Sequence, residues 1–190
     1  MGLYVGTSAK LFHLIFRLSF HRVGMKKILI LSVLIATVTS AQAASMLSHT
    51  DTNFLNKAVM GNMFEIQASQ LALTMAKAPA DQTFAKQMIS DHTKLGSDVQ
   101  AAVAKVDASM MLPSSVSKAQ QRMLNKLKKS GKNFDKLYKA DMLSSHAKTI
   151  TLFANYTASR HANPTIKAAA MNALPTIKTH HDEAKTLPKM

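Results

Sequence analysis

From Phe54 onward, apolar residues recur every three or four positions through four long stretches, and no strand-length run alternates apolar with polar. A helix turns once in 3.6 residues, so this spacing collects the apolar side chains on one face. Four such faces bury one another most simply as an all-α, up-and-down four-helix bundle. The first stretch is expected over about Thr52 to Lys77, with Asp51 or Thr52 as N-cap. Ala78-Pro79-Ala80-Asp81 interrupts it, since proline cannot continue a helix and Asp81 can cap the next one. The second stretch then reaches about Val106, and the third covers about Phe134 to Ser159. The fourth starts at Asn163-Pro164, asparagine in the N-cap and proline at the first helical position, and Pro175 should kink it. An extra short helix, from Ser114 or Ser115 to about Lys129, is expected between the second and third and should lie across one end of the bundle.

The start of the chain reads differently. Met25-Lys26-Lys27, the apolar run Ile28 to Val38 and the small-x-small pattern Ala41-Gln42-Ala43 have the order of a secretory signal. That run is shorter than the ~20 residues a membrane span needs. Residues 25–43 are therefore expected to be a cleaved signal peptide, with residues 44–190 as one helical domain and no transmembrane segment in the mature form. Residues 1–24 precede a complete signal and read as an over-extended start outside the fold. Export from the cytoplasm is the expected fate.

Charge and composition narrow the functions. The net charge is +14, and residues from Ala44 onward hold 19 basic and 10 acidic side chains. Arg122, Lys126, Lys128, Lys129 and Lys132 make the short helix the most basic part. Such a surface suits an anionic envelope polymer or membrane surface, and nothing points to a specific nucleic acid. The absence of cysteine excludes disulfides, thiolate metal sites and cysteine nucleophiles. Ser90, Ser144 and Ser145 sit near histidines in sequence, but adjacent helical residues do not face one another, so no Ser-His-Asp set is supported. No glycine-rich phosphate loop is present either.

Each long stretch carries one ionisable group on its apolar stripe: Glu65, His92, His146 and His180. Glu65 stands 14 residues before Pro79 and His92 13 after it, which at about 1.5 Å per residue puts them nearly level. His146 and His180 are likewise 16 residues before and 18 after Ala162. Three imidazoles and a carboxylate in one layer suit a divalent transition metal, zinc or copper. Met88 and Met142, one turn before His92 and His146, are secondary candidates whose thioethers would favour copper. Asp91 is a weak candidate for orienting an imidazole, being adjacent to His92. A di-iron centre needs more carboxylates and Glu-x-x-His motifs, whereas Ile89 and Leu143 occupy the positions three before His92 and His146. The alternative is a structural polar layer that fixes helix register.

Four segments carry a family resemblance: Gly61-Asn62-Met63-Phe64-Glu65-Ile66, Phe84 to Thr93, Phe134-Asp135-Lys136-Leu137-Tyr138, and Leu174-Pro175-Thr176-Ile177-Lys178-Thr179-His180. Together they resemble the exported bacterial family catalogued as domain of unknown function 4142. The resemblance implies a ferritin-like helical bundle in the periplasm or outer envelope of a Gram-negative bacterium, and no particular activity. It departs at one point, because the family's usual Asp-His in the third long helix is here Ser145-His146. The expected role is thus an exported envelope bundle, binding rather than catalytic, with a divalent metal in its core. Polyanion binding through residues 114–132 and a metal-dependent enzyme are the alternatives.

Overall fold

The structure is a computed structural model that describes residues 47–188; residues 1–24 and the signal-like residues 25–43 lie outside them. The described elements are α1 (His49–Met75), α2 (Pro79–Val106), α3 (Lys118–Lys128), a 3₁₀ turn (Gly131–Asn133), α4 (Phe134–Ala158) and α5 (Pro164–Thr186). The fold is all-α, a four-helix bundle of α1, α2, α4 and α5. Each of α1 and α5 packs against both α2 and α4. The two hairpins α1–α2 and α4–α5 lie face to face, so neighbouring helices run antiparallel.

Two buried aspartates clasp the ends. The Asp135 carboxylate, at the start of α4, accepts the backbone N–H groups of Lys77 and Ala78 in the α1–α2 turn. At the other end Asp51 accepts the Tyr156 hydroxyl at 2.5 Å and the Asn163 N–H at 2.8 Å. Burial pushes the Asp51 pKa up, but hydrogen bonds from Asn163, Ser48 and Tyr156 outweigh it and hold the pKa below its ordinary value. These contacts give α4 the direction of α2, so the segment from Asp107 to Asn133 has to return along the whole bundle.

That return sets the place of α3. It does not lie across an end of the bundle. It flanks α1 and α4, with Leu124 and Leu127 buried and the Gln120 side chain donating to the Met60 carbonyl. Its amphipathic pattern has two apolar positions three apart, enough to seat it lengthwise on the crossover.

Helix starts differ from the sequence expectation for a definable reason. Ser48 caps α1, and Asp51 reciprocates from the third helical position in a capping box, which extends α1 back to His49. Ser117 and Gln120 form a second such box, so α3 begins at Lys118 rather than near Ser114. Asp81 does not cap α2. The helix already begins at Pro79, whose fixed φ suits that position, and Asp81 is turned into the core. Helix α5 starts as expected, with the Asn163 side chain accepting from Thr165 and Ile166, and continues through Pro175.

The core has two apolar parts. One, near the clasp of Asp135, is built from Phe64, Phe84, Met88, Leu127, Phe134, Tyr138 and Met142. The other, near Asp51, is built from Phe54, Leu55, Val103, Phe153, Tyr156, Ile166 and Ile177. Phe54 stacks on Tyr156 with ring centres 3.8 Å apart. Between these parts, at mid-height, sit the polar side chains of the four long helices.

Candidate metal centre

The four stripe residues meet. Glu65, His92, His146 and His180 are all within 2% of full burial. Ring centres are 5.2 Å apart for His92 and His180, and 5.7 Å for His146 with either of them. Glu65 Oε2 lies 3.3 Å from His92 Nδ1, and Glu65 Oε1 lies 3.7 Å from His146 Nδ1. The first distance joins α1 to α2 and the second joins α1 to α4, so the layers of the two hairpins coincide.

Proton bookkeeping on the rings is more informative than proximity. His146 Nδ1 is 2.8 Å from the Met142 carbonyl oxygen, which can only accept. His180 Nε2 is 2.9 Å from the Asp91 carboxylate. His92 Nδ1 is 2.9 Å from Asn62 Oδ1 and also faces Glu65. Each of these ring nitrogens therefore carries the proton and donates it. In a neutral imidazole the other nitrogen is then a bare lone pair. Those remaining atoms are His92 Nε2, His180 Nδ1 and His146 Nε2. The first two face each other at 3.3 Å. The third is buried without a hydrogen-bond partner among the described residues.

One ring nitrogen from each histidine lies within 4.8 Å of the others. Two nitrogens bound at about 2.0–2.1 Å to one tetrahedral ion stand about 3.4 Å apart, close to the His92–His180 separation. An oxygen acceptor on the far nitrogen of each ring is the arrangement that orients histidine ligands toward a metal. The residues present thus fit a first-row transition ion held by three neutral imidazoles. Burial pushes the His92 pKa down to about 4, with Glu65 opposing and His146 and His180 adding to the fall.

Glu65 reaches the proton-bearing side of His92 and His146 rather than the lone-pair side, and the Ser145 hydroxyl donates to its Oε1 at 2.7 Å. Ser145 therefore serves a purpose where the family resemblance led one to expect aspartate: it secures the carboxylate. Met88 and Met142 are fully buried in the apolar part beside the layer. His181 is half-buried on the flank of α5, and His49 opens α1.

The sequence from residue 36 to residue 187 matches DUF4142, a domain of unknown function. The chain is a member of the DUF4142 family. No curated protein matches it. Among solved structures, this DUF4142 protein is similar to CopM in the Cu(II)-bound form, with a TM-score of 0.55 and 17% identity over 70% of this chain and 92% of that one. At that identity the likeness is one of helical fold. Among the described residues of the DUF4142 chain, no helix is long and apolar enough to cross a membrane.

Asn62 stands out in the structure but not in the sequence alone. Asn62 precedes Glu65 by three positions and so shares its helix face, a signal that could have found it. Asp91 was given little weight because it diverges from His92. That divergence is what carries it across to α5, where it holds His180 instead.

Proposed function

We propose that this protein is an exported metal-binding bundle of the cell envelope, whose core holds a copper or zinc ion on His92, His146 and His180. Asn62, Asp91 and the Met142 carbonyl, with Glu65 beside His92 and His146, hold the outer ring protons, so that the three lone pairs converge. The observation that carries this reading is the 3.3 Å approach of His92 Nε2 and His180 Nδ1, whose rings each face an oxygen through the other nitrogen, beside a His146 Nε2 with no partner among the described residues. Without a cation, that arrangement sets lone pair against lone pair in a buried site. A purely structural polar layer would instead use those nitrogens to accept hydrogen bonds. The copper-bound state of a protein with a similar fold, and the signal-like order of residues 25–43, support the same reading. When bound, the ion would supply a Lewis-acid or redox centre, and the residues here would keep it dry and fixed in geometry.

Metal analysis of the protein recovered from the periplasm of cells producing the full chain tests this, together with its N-terminal sequence. The reading expects about one equivalent of copper or zinc and a first residue of Ala44. Metal-free protein that still carries Lys26-Lys27 would overturn both the centre and the export.

A second reading rests on a separate surface. Arg122, Lys126, Lys128, Lys129 and Lys132 are all exposed on and just after α3, which flanks the bundle and is open to solvent on its outer side. Such a stripe suits an anionic envelope polymer or membrane surface. Glutamine at all five positions should then abolish salt-sensitive retention on heparin and on anionic vesicles.

A further inference from the structure

A cavity of about 570 Å³ is lined by α1, α2 and the loop after α2, with Thr149 and Phe153 of α4 and Ala173 and Ile177 of α5 completing its wall. Its wall runs from Asp107, Met110 and Leu112 past Met63 and Leu95 to Asn62, Glu65 and His92. His92 thus belongs both to this wall and to the histidine trio. We propose that this cavity is the metal's way in, and that Met63 and Met110 tune it for monovalent copper, which they hand to the histidines. The proposal rests on the metal reading above and adds the route and the oxidation state.

Three observations lead there. The first is charge: in a chain of net charge +14, the wall carries Glu65 and Asp107, and no Lys or Arg lies among the described residues that line it. Asp107 is held below the ordinary carboxylate range by hydrogen bonds from the Ser109 side chain and backbone, so the mouth is anionic. On a chain of net positive charge, an acidic wall free of Lys and Arg draws cations.

The second is softness. Met63 comes from α1 and Met110 from the loop, and both half-buried side chains line the same space. Met111, next in the loop, is 90% exposed, a large apolar side chain left in solvent. Thioethers gain little from zinc or magnesium but bind copper(I) well, and in a chain without cysteine they are the available soft donors.

The third is continuity. At the inner end the wall residue Asn62 holds His92 Nδ1, while His92 Nε2 faces His180. An ion arriving along the cavity meets the His92 ring edge, and turning that ring about χ2 releases Nδ1 from Asn62 and Glu65 and Nε2 from His180. The step is a ligand exchange from sulfur to nitrogen, with copper monovalent throughout and no electron transferred.

The test uses the mature protein stripped with chelator. Copper(I), delivered from a chromophoric copper(I) chelator, and zinc(II) are each followed in stopped flow. The variants are Met63→Leu with Met110→Leu, near-isosteric and so expected to fold, and Asp107→Asn at the exposed mouth. The proposal expects the double methionine variant to load copper(I) at least tenfold more slowly, with unchanged final stoichiometry and unchanged zinc loading. Asp107→Asn should slow both ions and weaken the salt dependence. Equal copper(I) rates in wild type and the methionine variant would overturn the route. Zinc loading with no copper(I) uptake would overturn the copper assignment and leave the centre standing. A wild type that takes up neither ion, as His92→Ala should, would overturn the centre and the route together.

Discussion

His92 Nε2 and His180 Nδ1 face each other at 3.3 Å, while each ring gives its other nitrogen to an oxygen of Asn62 or Asp91. The donors are fixed from outside and the lone pairs point inward. That relationship, completed by the unpartnered Nε2 of His146, is the ground on which a ligand set is proposed over a register-setting polar layer.

Gly96 connects helix packing to this geometry. A Cβ added there would stand 3.0 Å from Asn62 Nδ2. Gly96→Ala gains about 1 kcal/mol of helix propensity but presses on the amide that holds His92. The expected outcome is a melting temperature at or above that of wild type, together with metal affinity several-fold weaker. Isothermal titration and thermal melting of the same samples check both, and unchanged affinity would mean Asn62 does not position the ring.

Asp81 is fully buried, and neither carboxylate oxygen has a hydrogen-bond partner among the described residues. Burial pushes its pKa up to about 6, with Asp135 adding to the rise and Lys139 opposing. A raised carboxyl pKa means that the charged form disfavours the folded state. The penalty is fully present above about pH 6 and fades as pH falls toward 3.8, the unfolded value. Asp81→Asn should therefore stabilise the protein by about 1–3 kcal/mol at pH 7.5 and by little at pH 4. Urea unfolding at the two pH values measures it, and a gain independent of pH would refute the assignment.

Much of this was legible in the sequence, and the misses have physical causes. Arm lengths counted from Pro79 and Ala162 placed Glu65 level with His92 and His146 level with His180, because rise per residue is fixed along a helix, while the coincidence of the two layers depends on how the hairpins pack. Which side of each ring they occupy was not legible. That depends on rotamers and on partners from other helices, as with Asp91 reaching His180. The start of α1 was misplaced because the capping box uses Asp51 from inside the helix, not as the cap. The place of α3 was misjudged because a crossover's path follows from the direction of α4, which the Asp135 clasp sets.

The other clasp is a test of the fold itself. The Asp51 carboxylate gathers Tyr156, Asn163 and Ser48 at one end of the bundle. Asp51→Ala removes the acceptor from a buried hydroxyl and a buried N–H, and should destabilise by about 2–4 kcal/mol. Tyr156→Phe, which deletes one donor and leaves the ring stacked on Phe54, should cost about 1–2 kcal/mol. Chemical unfolding of both variants checks the order, and equal effects would show that Asp51 matters through Tyr156 alone.

The central claim is that three inward lone pairs hold a metal. Thermal melting of chelator-stripped protein, titrated with zinc or copper, addresses it most directly. An ion at about 100 times its Kd adds about 2.7 kcal/mol to the native state, a rise of roughly 5–10 °C for a domain of this size. The account predicts that rise in wild type at one equivalent bound, and its loss in His92→Ala and in His146→Ala. No rise with either metal, or the same rise in wild type and both variants, would contradict it and leave the layer a structural one.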